Sequence, residues 1–145
     1  MQSLSIAEVK YIAHTLAREL LGWDEPIPTF DTRFPNILES CLAMPFQAFN
    51  GADLYPGLVK KSSMLFYLII KNHPFKNGNK RVAMTTTLLY LMKNGKWLKV
   101  NNFSFYKFTV WVAESDANLQ SAVVSAIEKF IGMYLIDFKE NPGKT

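Results

Sequence analysis

A histidine heads a short polar stretch, His73-Pro74-Phe75-Lys76-Asn77-Gly78-Asn79-Lys80-Arg81, set between two strongly apolar segments. Histidine titrates near neutral pH and is the commonest general base in proteins. The far end of the stretch, Gly78-Asn79-Lys80-Arg81, runs straight into a helical pattern. A helix N-terminus exposes unpaired backbone N–H groups and a partial positive charge, which suits phosphate. Gly78 would let the backbone approach an anion closely. Lys80 and Arg81 add cations in the first turn, where the helix dipole opposes them at roughly a few tenths of a kcal/mol each. A bound anion would offset that cost. A base beside a phosphate cradle is the equipment for transfer from a nucleotide to a hydroxyl acceptor. The plainer reading is a satisfied turn histidine and an asparagine cap. There is no P-loop or dinucleotide glycine pattern, so neither of those nucleotide folds is indicated.

The flanking segments must position this loop. Residues 58–71 include Leu58, Val59, Met64, Leu65, Phe66, Tyr67, Leu68, Ile69 and Ile70, and residues 79–94 include Val82, Ala83, Met84, Leu88, Leu89, Tyr90, Leu91 and Met92. Both are apolar around most of a helix circumference, as central helices must be. Gly95 is placed to end the second. Ser5 and Glu8 form a capping box. Ile6, Val9, Ile12, Ala13, Leu16 and Leu20 follow at helical spacing, up to Gly22. A loop is expected at 24–32, with Pro26 and Pro28. A short helix over 34–44 starts with Pro35 and stops before Pro45. Residues 46–55 place Gln47, Asn50, Gly51 and Asp53 among aromatics, and Asn-Gly is a tight-turn signal. They read as a hairpin-like flap. A short extended piece at 97–100 and helices over 103–115 and 118–138 complete the chain, with Asp116 or Asn118 as a cap. A polar tail follows from Lys139.

These elements make one all-α domain over 1–145, a bundle around two central helices with one small flap. The 145 residues are 49% hydrophobic, enough for a real core, so disorder is not the expectation. The single cysteine, Cys41, allows no intrachain disulfide and reads as a small core residue. His14 on the first helix reads as structural, exposed or partly buried. No signal peptide is recognised, and the longest apolar run, 64–70, is too short to span a bilayer. A cytoplasmic location fits. The net charge of +4 suits an anionic partner, but the basic residues form no single run, so nucleic acid is not the expected partner.

The run from His73 to Arg81 resembles the signature of the Fic/Doc family, His-Pro-Phe-x-(Asp/Glu)-Gly-Asn-(Gly/Lys)-Arg. The resemblance extends upstream through Ile37-Leu38-Glu39-Ser40-Cys41-Leu42-Ala43-Met44-Pro45 and Asp53-Leu54-Tyr55-Pro56. It covers the chain from Leu4 to about Phe130, most weakly in the last third. It implies a Fic-fold bundle using ATP and magnesium. His73 would activate the target hydroxyl, with Pro74 and Phe75 fixing the loop. Gly78, Asn79, Lys80 and Arg81 would hold nucleotide phosphates. The flap residues Phe46, Gln47, Phe49, Asn50, Gly51 and Asp53 would hold the target chain by strand-like pairing.

Lys80 stands where AMP-transferring members carry glycine, and lysine there resembles the death-on-curing (Doc) subgroup. That subgroup transfers a terminal phosphate to elongation factor Tu and pairs with a separate antitoxin. Asn77 occupies the usual Asp/Glu position and would be a weak magnesium ligand, since a neutral amide holds a hard cation poorly. Met84 replaces the second arginine of the AMP-transferring pattern. The expectation is a Doc-like kinase of protein Ser/Thr hydroxyls. Its alternatives are a protein AMP-transferase and a catalytically weak Fic-fold binding module. The self-inhibiting motif of some Fic proteins is approached only by 15–19, and Leu20 breaks it, so no built-in inhibitor is expected.

Overall fold

The computed structural model describes residues 1–138. The tail from Lys139 lies outside the described residues. Six helices carry the fold: α1 (residues 6–20), α2 (Pro35–Ala43), α3 (Leu58–Asn72), α4 (Asn79–Lys93), α5 (Asn102–Glu114) and α6 (Gln120–Tyr134). The expected all-α bundle is therefore the observed architecture.

At the centre α3 packs along α4. All ten side chains from Lys61 to Ile70 are buried, as are Arg81 through Thr87 on α4. A helix enclosed on every side needs small or satisfied polar residues as well as large apolar ones. Ser62 and Ser63 meet this need by donating to Leu58 O and Val59 O at 2.8 and 2.7 Å. Around this pair, α1 and α5 pack on α4, while α2, α5 and α6 pack on α3. A ring cluster of Phe66, Phe105, Phe108 and Phe130 joins α3, α5 and α6, with Phe108 and Phe130 stacked at 4.1 Å.

Helix α1 opens with the capping box read from the sequence. Ser5 Oγ accepts from Glu8 N at 3.1 Å, and Glu8 Oε1 accepts from Ser5 N at 2.9 Å. Its middle, Val9–His14, is a π-helical segment. The wider turn changes which side chains face inward. Val9, Ala13, His14 and Ala17 are buried, whereas Ile12, Leu16 and Leu20 are 39%, 39% and 70% exposed. The regular spacing of the sequence placed those three on the apolar face, and the structure corrects it. Thr85 Oγ1 of α4 donates to Ala13 O at 2.7 Å, satisfying a carbonyl within the irregular turn.

The flap forms as expected. β1 (Ala48–Phe49) and β2 (Ala52–Asp53) pair antiparallel, with Phe49 opposite Ala52. Asn50 and Gly51 turn between them, both at positive φ (52° and 78°), the geometry that favours Asn-Gly in a two-residue hairpin. A second ribbon was not foreseen. β3 (Lys96–Leu98) pairs with β4 (Leu135–Asp137), so the last helix ends at Tyr134 rather than running to Phe138.

Candidate active site

The site is the loop from the end of α3 to the first turn of α4. His73 ends α3 in the left-handed region, at φ 52° and ψ 63°. A side chain there costs about 1 kcal/mol or more relative to glycine. His73 is exposed, whereas Pro74 and Phe75 behind it are buried.

Asn79 holds the loop closed. Its Oδ1 accepts from Phe75 N at 2.9 Å, its Nδ2 donates to Phe75 O at 2.8 Å, and Nδ2 also lies 3.3 Å from His73 Nδ1. Gly78 turns the chain into α4 at φ +81°. A Cβ built on it would lie 2.5 Å from Ile27 Cγ1, so Gly78 is needed for packing as well as for its backbone angle. Asn77 Oδ1 accepts from the backbone N of Gly78 at 2.8 Å.

Helix α4 has no side-chain N-cap and no acidic residue in its first turn. Lys80 is half-buried and Arg81 is buried. Arg81 donates from Nη1 to Leu21 O at 3.2 Å and from Nη2 to Glu25 O at 2.6 Å. Both partners are backbone carbonyls. Among the described residues no carboxylate forms an ion pair with Arg81.

The segment joining α1 to α2 (residues 21–34) covers this loop, a contact with no local signal in the residues themselves. Ile27 packs on Gly78, Phe34 N donates to Pro74 O at 2.8 Å, and Arg18 Nε donates to Ile27 O at 3.1 Å. Phe30 and His14 stand beneath Phe75, ring centroids 5.8 and 5.2 Å from it. His14 is only 2% exposed, more deeply set than expected. It hydrogen-bonds to the Pro28 backbone, and burial followed by the nearby Arg18 charge depresses its pKa to about 4.

That depression makes acid destabilising. Between an unfolded pKa near 6.5 and the folded value near 4, the unfolded chain binds more protons. Stability should therefore fall as pH drops through this window, by about 2–3 kcal/mol in total. Urea midpoints at pH 7 and pH 4 should differ more for the wild type than for His14→Gln. Equal pH dependence in the two proteins would exclude His14 as the cause.

The flap is tied to the bundle rather than to the loop. Lys61 of α3, itself 4% exposed, donates to Asp53 Oδ2 at 2.9 Å and to Tyr55 O at 2.6 Å. Phe46 packs edge-on against Tyr90 of α4. Gln47 closes the base of the flap, its carbonyl accepting from Leu54 N at 3.0 Å. Phe49, Asn50, Gly51 and Asp53 are exposed, and so are both strand edges. Cys41 is buried and its thiol pKa is pushed up to about 11, mainly by desolvation, as a core residue requires. Among the described residues no group of three or more His, Cys, Asp or Glu is placed to hold a metal ion.

The profile of the Fic/DOC family matches residues 3–91, which is more than half of the chain, and the chain belongs to that family. Over 59 residues it is 34% identical to the toxin Doc of Mycolicibacterium smegmatis (strain ATCC 700084 / mc(2)155). That similarity covers 41% of this chain and 45% of the toxin, so the chain spans less than half the length of that relative. No solved structure matches.

Proposed function

We propose that this protein is a Doc-like toxin that moves the terminal phosphate of ATP to a Ser or Thr hydroxyl of a translation factor such as elongation factor Tu. The observation that carries this is the cationic, uncapped start of α4, with Arg81 lacking a carboxylate partner, directly behind an exposed histidine. Backbone N–H groups at the helix start and the Lys80 and Arg81 charges fit a nucleotide's phosphates. His73 takes the proton of the target hydroxyl, whose oxygen bonds to the γ-phosphorus. The bond from that phosphorus to the bridging oxygen breaks, and ADP leaves with the electron pair. Positioning and charge neutralisation do most of the catalytic work in phosphoryl transfer. The flap, with both edges unpaired, offers the target an extended strand to pair with.

Magnesium fits only as an ion carried by the phosphates. The loop offers it one neutral amide oxygen, and that oxygen already accepts from Gly78 N. Asn77→Asp keeps this acceptor and adds a negative charge, so it should lower the magnesium concentration needed for half-maximal transfer. Overlapping rate titrations for the two proteins would show that residue 77 does not touch the metal.

Similarity to a toxin named Doc supports a separate antitoxin as partner and the cytoplasm as the working compartment. No helix among the described residues is long and apolar enough to cross a membrane. The deciding experiment incubates the purified protein with cell lysate and ATP labelled at either the α or the γ phosphate. A protein band carrying γ label supports the kinase. A band carrying α label means AMP transfer, and no band favours a binding module.

A further inference from the structure

The contact between Asn79 and His73 decides which nitrogen of the catalytic imidazole carries the proton. An asparagine amide can ordinarily be turned over without changing its shape, but not here. Asn79 meets both backbone groups of one residue: Oδ1 faces the N–H of Phe75 at 2.9 Å, and Nδ2 faces its C=O at 2.8 Å. Reversing the amide would set donor against donor and acceptor against acceptor in a buried place, which is costly. The atom facing His73 Nδ1 at 3.3 Å is therefore an N–H donor. Nδ2 carries two hydrogens, one for Phe75 O and one for His73. Nδ1 must then present its lone pair, and neutral His73 holds its proton on Nε2.

We infer that Asn79 is a positioning residue that locks His73 in the Nε2–H tautomer, so that the ligand-free protein is a resting form. Nε2, the ring nitrogen turned away from Asn79, carries a hydrogen and cannot accept one. Its lone-pair form requires the proton on Nδ1, where it would oppose the Asn79 N–H. Proton abstraction through Nε2 thus starts with Asn79 giving up its contact. Asn79 is the first residue of α4, at the cradle itself, so a nucleotide seated there acts on the same residue that holds the base inactive. This consequence for catalysis rests on the proposed transfer, but the tautomer itself does not.

The molecule supplies its own contrast. His14 and His73 are the only two histidines. His14 Nε2 is buried without a partner while the ring bonds to the Pro28 backbone, which places its proton on Nδ1. Long-range proton–nitrogen correlation spectra of the ligand-free, ¹⁵N-labelled protein, taken well above pH 7, should show two imidazoles of opposite tautomer. His14→Gln identifies which signals remain. His73 should show limiting shifts, a pyridine-like Nδ1 and a pyrrole-like Nε2, rather than the partial averaging of a free imidazole. Asn79→Asp places an acceptor against Nδ1 and should move His73 toward the Nδ1–H form. A His73 that is averaged, or Nδ1–H, in the wild type overturns the inference, and that spectrum needs no variant of Asn79 to fold. Averaged shifts beside γ-labelled protein would sink the tautomer lock alone. Limiting Nε2–H shifts with no label would leave the lock standing and remove the transfer.

Discussion

Replacing His73 by alanine is expected to lower transfer in the labelled-ATP assay by about 10²-fold or more, the usual cost of losing a general base. The fold should survive, because the side chain is exposed and contributes one long contact, to Asn79. His73→Gly sharpens the test. The residue sits at φ 52°, where glycine is the natural occupant and any side chain is strained. Glycine's larger entropy loss on folding offsets part of that relief. Stability of His73→Gly should therefore be unchanged or higher by up to about 1 kcal/mol, while transfer falls as far as in His73→Ala. Such opposite effects are the mark of a residue kept for chemistry at the expense of the backbone. Full transfer by either variant would remove His73 from the reaction.

Local signals were legible wherever the physical cause is local. The Ser5–Glu8 capping box, the Asn50-Gly51 turn and the buried central helices each follow from residues within a few positions of one another. The polar loop between the central helices stood out for the same reason, since a histidine, a glycine and three cations between apolar helices are an anomaly in sequence. Features made by distant partners left no such mark. Leu135–Asp137 continues the apolar rhythm of α6, and only its pairing with Lys96–Leu98, some forty residues upstream, turns it into a strand. The π-helical segment shifts the buried face of α1 onto Ala13 and Ala17, whose small size lets α1 approach α4. Leucine and isoleucine spacing pointed to the wrong face because it presumed a regular turn. The partners of Arg81 are backbone carbonyls of Leu21 and Glu25, and a carbonyl has no sequence signature. A sequence reading could see the cation but not that the α1–α2 segment holds it in place.

That segment accounts for the largest stability effect expected in the site. Gly78→Ala meets two separate obstacles. The backbone at φ +81° is one that an L side chain occupies only with strain, on the order of 1–2 kcal/mol. The new Cβ would also lie 2.5 Å from Ile27 Cγ1 and 2.9 Å from Ile27 Cδ1, closer than carbon atoms pack. Ile27 is only 4% exposed and cannot swing freely into solvent, so overpacking adds about 1–3 kcal/mol. The sum, about 2–5 kcal/mol, is a large part of the margin of a domain this size. If Ile27 is the obstacle, Ile27→Ala in the Gly78→Ala background should recover the packing share, although alone it costs stability by opening a cavity. The backbone share should persist in the double variant. Denaturant midpoints for the wild type, both single variants and the double close this cycle. Additive losses would mean that Ile27 does not press on residue 78, and that the α1–α2 segment does not brace the loop before α4 as its contacts indicate.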